Sequence, residues 1–180
     1  MVNQHLKEPY TCFPLDVSNG FTIVSPIPED IPPMSDLLKF VWGQTFKQFL
    51  SDQPAKLLFS EERIKQWIEA SNGYVGLVKY LGEIVGVISA FQDKDTIHIS
   101  HLYIHPDFQN KGLGSKMIDS VLVRFPSVKK LSLRVFEKNT HAIKFYQNKG
   151  FCEVSIRDAN FGTEKTPSIL MEKPVDSPLK

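Results

Sequence analysis

The sequence predicts an α/β (α+β) fold, in which a mixed, mostly antiparallel central sheet of about seven strands carries helices on both faces. Three strand-like stretches follow one another with only short turns between them over residues 74–104, which indicates an antiparallel meander. The last of them and another strand-like stretch at residues 130–136 are separated by a segment with helical periodicity, which indicates a parallel pair joined by a helix. Helices and strands should therefore share one core.

The part of the chain before the meander is predicted from breakers and helical periodicity. In order it should form an irregular segment (residues 1–18), a strand (21–24), a proline-rich loop (25–33), a helix (about 34–50) and a second helix (60–72). The first helix is indicated by apolar residues that recur every three or four positions. The second is indicated by Ser60, whose hydroxyl is suited to cap a first helical turn.

The part after the meander alternates helices and strands. In order it should form a helix (to about residue 125), a strand (130–136), a short helix (139–148) and two strands (151–156 and 168–173) joined by a polar loop (157–167). Pro126 ends the first of these helices, Asn139 caps the short one and Gly150 ends it. Residues 1–180 are expected to form a single domain with a core over about residues 21–173 and an irregular tail at 175–180.

Composition excludes several classes of function. The net charge of +1 argues against nucleic acid as the main partner, which normally requires a basic face. No apolar run is long enough to cross a bilayer and no signal-like segment is visible, so we expect no membrane partner. Cys12 and Cys152 are isolated, which fits reduced thiols and a cytoplasmic location, and no zinc-ligand spacing is present, so no metal is expected. A homodimer is left open.

The stretch QNKGLG, residues 109–114, lies where a predicted strand gives way to a predicted helix. Free backbone N–H groups and the helix dipole make such a place suited to anions. Gly112 allows a positive φ or the close approach of a phosphate, Gly114 lets the helix lie near the sheet, and Lys111 adds a mobile cation. The spacing is neither that of a P-loop nor that of the dinucleotide fingerprint, whose third glycine position holds Met117 here.

The pattern Gln-x-x-Gly-x-Gly, after a strand that ends in His-Pro-Asp, resembles motif A of the GNAT N-acetyltransferase superfamily. Three other stretches resemble the same family, namely GEIVG (residues 82–86), NTHAIKFYQNKGF (139–151) and LMEK (170–173). The resemblance covers about residues 21–173, and in outline it is similar to bacterial polyamine acetyltransferases. It implies an acetyl-CoA-dependent enzyme that moves an acetyl group to a primary amine of a small molecule by direct attack in a ternary complex.

The resemblance also implies where the cofactor lies. In the family, the strand that ends here at Ile104 carries a bulge and splays from the strand that starts near Leu131, and the gap accepts the pantetheine arm. The implied cofactor-binding residues are Leu102, Tyr103, Ile104, Gln109, Asn110, Lys111, Gly112, Leu113, Gly114, Ser115, Asn139 and Tyr146. Gln109 is a departure, because many relatives carry an arginine there.

Two proton movements define the implied catalytic residues, because the attacking amine must lose a proton and the leaving thiolate gains one. Tyr146 is the predicted acid, and the alternative is that it only packs between helix and sheet. His98 is the predicted base, with Ser100 holding a relay water, and the alternative is a solvated strand residue. His101 is the second choice for the base, since strand alternation places it on the opposite face unless the bulge changes this.

The acceptor is not specified by the sequence. In such folds its site is formed by the first two helices and the loop before the last strand, here about residues 40–67 and 157–167. Two other functions stay open: a protein or peptide N-acetyltransferase, and a non-catalytic regulator that binds acyl-CoA.

Overall fold

The computed structural model describes residues 15–18, 20–47, 53–161 and 164–175. Its strands are β1 (Leu15–Ser18), β2 (Phe21–Val24), β3 (Gly73–Tyr80), β4 (Glu83–Asp93), β5 (Thr96–Ile104), β6 (Lys130–Phe136), β7 (Cys152–Phe161) and β8 (Glu164–Pro174). Its α-helices are α1 (Ile31–Phe46), α2 (Gln53–Leu58), α3 (Glu61–Glu69), α4 (Leu113–Arg124) and α5 (Thr140–Asn148). No helix within these ranges is both long enough and apolar enough to cross a lipid bilayer.

Within the described ranges the strands form one eight-stranded sheet in the order β1-β2-β3-β4-β5-β6-β8-β7. Neighbouring strands are antiparallel except β5 and β6, which are parallel and are connected through α4. The predicted fold class is therefore confirmed. The strand beyond the expected seven is β1.

The core has two halves, one on each face of the sheet. On one face α4 packs through Met117 and Val121 against Ile97 and Leu131 of the central strands. On the other face the buried side of α1, which includes Leu38, packs against β3 and β4. Strands β3 and β4 are covered on both faces, and their sequences are nearly continuous apolar runs rather than alternating ones.

Three predicted elements differ from the structure, and one helix is additional. Leu15–Ser18, expected to be irregular, pairs with β2 as an edge strand. Helix α1 begins at Ile31, earlier than expected, because a proline in a first helical turn loses no intrahelical hydrogen bond and Pro32 lies there. Helix α2 was not predicted. Most of the predicted loop 157–167 extends the β7–β8 hairpin through pairs such as Ala159–Thr166.

Some of the predictions lie outside the described residues. These are the irregular segment over residues 1–14, the last turn of the first helix at 48–50 and the tail at 176–180.

Candidate active site

The parallel strands β5 and β6 separate part way along their length. They pair only from Thr96–Lys130 to Ile99–Leu133, although β5 continues to Ile104 and β6 to Phe136. The predicted splay is therefore present, and it opens after Ile99. Beyond this point the β6-facing edge of β5 has no strand neighbour within the described residues, so its backbone groups are available to another partner.

A bulge in β5 lies at the start of this gap. Ala90 of β4 pairs with Ile99 and Ser89 pairs with His101, so Ser100 is the extra residue. The bulge reverses the facing of the residues after it. Leu102 and Ile104 consequently pack against the α4 half of the core together with Ile99, whereas Tyr103 packs against the α1 half.

The glycine turn between β5 and α4 leaves the start of α4 without a side-chain cap. Gly112 occupies the N-cap position with φ +77° and makes no capping hydrogen bond. By contrast, Ser60 caps α3 through the N–H of Arg63, and Asn139 caps α5 through the N–H of Ala142. The N–H of Ser115 donates to the carbonyl of Gly112, whereas within the described residues the N–H groups of Leu113 and Gly114 have no backbone acceptor, so the turn presents donors that an anion can satisfy.

Both glycines of the turn are needed by the local geometry, for different reasons. A Cβ atom at Gly112 would meet no atom within 4 Å, so the space beside it is open. A Cβ atom at Gly114 would lie 2.9 Å from Cζ of Phe145, so α4 and α5 approach closely there. The side chain of Gln109 ties the turn to β5, because its Nε2 donates a hydrogen bond of 3.0 Å to the carbonyl of Ile104.

A cleft of about 650 Å³ joins the splay, the glycine turn, α5 and one side of α1. The predicted cofactor residues that line it are Leu102, Tyr103, Ile104, Gln109, Asn110, Gly112, Leu113, Gly114, Ser115, Asn139 and Tyr146. Its other lining residues are Val41, Gln44, Thr45, His141, Ala142, Phe145, Asn148 and Lys149. The predicted site residues that are not part of the lining are Lys111, His98 and Ser100.

Tyr146 is buried at the wall of this cleft. Its ring contacts the edges of Phe145 and Phe151, with centroid distances of 5.0 and 5.5 Å. Burial raises the pKa of its hydroxyl above the usual range, so the group stays protonated at neutral pH and can donate a proton or a hydrogen bond. Burial, and to a smaller extent Tyr146, also raises the pKa of Tyr103, which lines the same cleft.

The histidines of β5 are held away from the cleft lining. His98 lies in the paired part of the strand and stacks on Phe91 at 5.0 Å. His101 is partly buried, stacks on Trp67 at 4.4 Å, and its Nδ1 is hydrogen-bonded to Oγ of Ser89 at 2.7 Å. Burial, assisted by the charge of Arg63, lowers the pKa of His101 to about 4, so this ring is neutral at pH 7. The role of His98 as the base stays a prediction.

Several lining residues were missed by the sequence reasoning. Those on α5 follow its 3.6-residue period, since the face turned to the cleft carries His141, Ala142, Phe145 and Asn148. This signal is visible in the sequence once Ala142 and Phe145 are placed beside the cofactor. Lys149 follows directly after the helix ends. The lining residues on α1 fall within the acceptor region that the resemblance implied at about residues 40–67, but which of these residues reach the cleft depends on how that helix crosses the sheet.

The family model described as "Acetyltransferase (GNAT) family" matches residues 36–151. Since the match covers more than half of the chain and agrees with the splayed strands and the glycine turn, this protein belongs to the GNAT acetyltransferase family.

Three similar proteins illustrate how far the likeness extends. The chain is 33% identical over 88 residues to the spermine/spermidine N(1)-acetyltransferase of Bacillus subtilis, an alignment that covers 43% of this chain and 57% of the relative. It is 30% identical over 91 residues to the UPF0157 protein YqkA of the same species, covering 51% of this chain and 26% of the relative. These alignments span little more than half of the curated relatives at most. The crystal structure of the PaiA N-acetyltransferase from Thermoplasma acidophilum in complex with coenzyme A superposes with a TM-score of 0.73 at 18% identity, covering 86% of this chain and 99% of that one.

Proposed function

We propose that this protein is an acetyl-CoA-dependent N-acetyltransferase that moves an acetyl group to a primary amine of a small molecule by direct attack within a ternary complex. One observation carries the proposal: the unpaired edge of β5 and the uncapped start of α4 line the same cleft. An extended arm with amides can pair with the first, and a diphosphate attached to that arm can bind the second.

The residues present fit such a cofactor. The N–H groups of residues 110–114 would hold the diphosphate, because α4 lacks a side-chain cap and the space beside Gly112 is open. Backbone groups of Leu102 and Ile104, beyond the last rung between β5 and β6, would pair with the pantetheine amides. The Ile104 carbonyl already accepts from Gln109, so its N–H is the group that stays available for this pairing. Acetyl-CoA supplies the activated acetyl group.

Tyr146 is the residue we assign as the acid. Its hydroxyl is kept protonated by burial, and the residue lines the cleft together with Tyr103. It would donate its proton to the sulfur as the carbon–sulfur bond breaks, while the amine nitrogen forms the new bond to the acetyl carbon. The proton lost by the amine goes to a base, for which His98 with a water on Ser100 is the proposed route.

A small-molecule amine is the acceptor class we favour. The wall of the cleft opposite α5 comes from α1, where Gln44 and Thr45 supply polar, uncharged groups. The relative named spermine/spermidine N(1)-acetyltransferase is, by its name, an enzyme of small amines, and its alignment covers 43% of this chain. This supports the choice of class and leaves the individual amine to experiment.

A thiol-release assay tests the proposal. Acetyl-CoA is incubated with the protein and with a panel of polyamines, amino acids, aromatic amines and peptides, and the acetylated product is identified by mass spectrometry. We expect release with at least one small amine, and release with peptides alone would assign a peptide N-acetyltransferase instead. Tight coenzyme A binding without release from any acceptor would indicate a regulator rather than an enzyme.

The base is tested separately through pH. His98→Ala should lower the rate most near neutral pH, where an imidazole is best matched to accept a proton. A uniform effect of the substitution across pH 6–9 would remove His98 from the mechanism, and the same measurement on His101→Gln would show whether the second histidine replaces it.

A further inference from the structure

The residue directly after helix α5 is a lysine that lines the cleft. Lys149 is partly buried and supplies the one ammonium group among the described residues of the lining. Two carboxylates close to the end of α5 are engaged elsewhere, because Glu153 accepts from Gln147 and Glu172 accepts from Lys130. A cation that faces a cleft in this way is suited to an anionic ligand.

Lys149 lies near the end of the cleft that is formed by the glycine turn. Gly114 packs directly against Phe145, which fixes α5 beside the glycine turn. Lys149 follows Phe145 by one helical turn, or about 6 Å, on the same face. The N–H groups at the start of α4 attract an anion only when it lies close to the first turn of that helix. A second phosphate farther away would therefore have to be bound by another cationic group.

We propose that Lys149 binds the 3′-phosphate of the nucleotide part of coenzyme A, while the N–H groups of residues 110–114 hold the diphosphate. The inference rests on the proposed function, since it requires coenzyme A in this cleft. The ligand group is a phosphate monoester, which carries between one and two negative charges at neutral pH and accepts hydrogen bonds from an ammonium group.

Calorimetric titration with coenzyme A and with 3′-dephospho-coenzyme A tests the inference. The variants are Lys149→Met, Lys149→Arg and Lys144→Met. Lys144 is exposed, lies on α5 and is not part of the cleft lining, so its substitution removes the same net charge without the proposed contact. Circular dichroism and melting temperature confirm that each variant is folded.

We expect Lys149→Met to weaken coenzyme A binding by about tenfold and to leave 3′-dephospho-coenzyme A binding unchanged. Lys149→Arg should restore most of the affinity, and Lys144→Met should bind both ligands like the wild type. The subsite is overturned if the wild type does not distinguish the two ligands, if Lys149→Met loses both equally, or if Lys144→Met has the same effect. A wild type that binds neither ligand overturns the proposed function together with the subsite.

Discussion

Gly112→Glu should weaken coenzyme A binding by roughly a hundredfold or more, whereas Gly82→Glu should leave it unchanged. The two glycines are matched. Gly82 has φ +90° in the turn between β3 and β4, Gly112 has φ +77°, and a Cβ atom at either position meets nothing within 4 Å. Each substitution therefore carries a similar backbone strain of about 1–2 kcal/mol and adds the same charge.

The difference between the variants comes from the proposed position of the diphosphate. Two negative unit charges about 5 Å apart repel by about 3 kcal/mol at an effective dielectric constant of about 20, which corresponds to a change in affinity of more than a hundredfold. Only the carboxylate at position 112 would lie that close to the cofactor, because Gly82 is outside the cleft lining.

Isothermal titration of coenzyme A into the wild type and both variants measures the effect, and urea unfolding reports the shared strain. Equal affinities for the two variants, or wild-type affinity for Gly112→Glu, would show that the phosphates bind elsewhere.

Three other predictions concern the packing and chemistry of the same region. Gly114→Ala should lower the free energy of unfolding by about 1–3 kcal/mol, because the added Cβ atom would lie 2.9 Å from Phe145. Urea denaturation should show that the double variant Gly114→Ala, Phe145→Leu recovers most of this loss. Tyr146→Phe should lower kcat by about a hundredfold with little change in the Kd of coenzyme A, and an unchanged kcat in the thiol-release assay would remove it as the acid. The pKa of His101 is about 4 in the folded protein and 6.5 in the unfolded chain. As the pH drops from about 6.5 towards 4, the unfolded chain therefore binds a proton before the folded protein does, and the free energy of unfolding falls. Chemical unfolding should show that the free energy of unfolding falls by roughly 2 kcal/mol between pH 7 and pH 5, and that this loss is smaller in His101→Gln. An equal loss in both proteins would show that protonation of His101 is not its cause.

Local chemistry accounts for the parts of the site that were predictable from the sequence. The glycine turn and the Asn139 cap are set by backbone conformation and by hydrogen bonds within a few residues, so the residue types at these positions predict them. The parallel pairing of β5 with β6 follows from the helix that joins them.

Other features depend on contacts between distant parts of the chain and could not be predicted in the same way. The bulge at Ser100 is visible only from the pairing of β5 with β4, and it decides which face His101 and Tyr103 occupy. The pairing of β1 with β2 and the length of the β7–β8 hairpin likewise depend on partner strands. The resemblance implied an acceptor site at about residues 40–67, but that Gln44 and Thr45 are among the residues of α1 that form the wall depends on the packing of this helix over the sheet.

A crystal structure of the protein with coenzyme A is the most direct test. We predict that the diphosphate lies within about 3 Å of N–H groups in residues 110–114 and that the pantetheine arm runs beside residues 102–104, in the gap that opens after Ile99. Coenzyme A bound outside this gap, or β5 and β6 hydrogen-bonded to each other over their full length, would contradict the account.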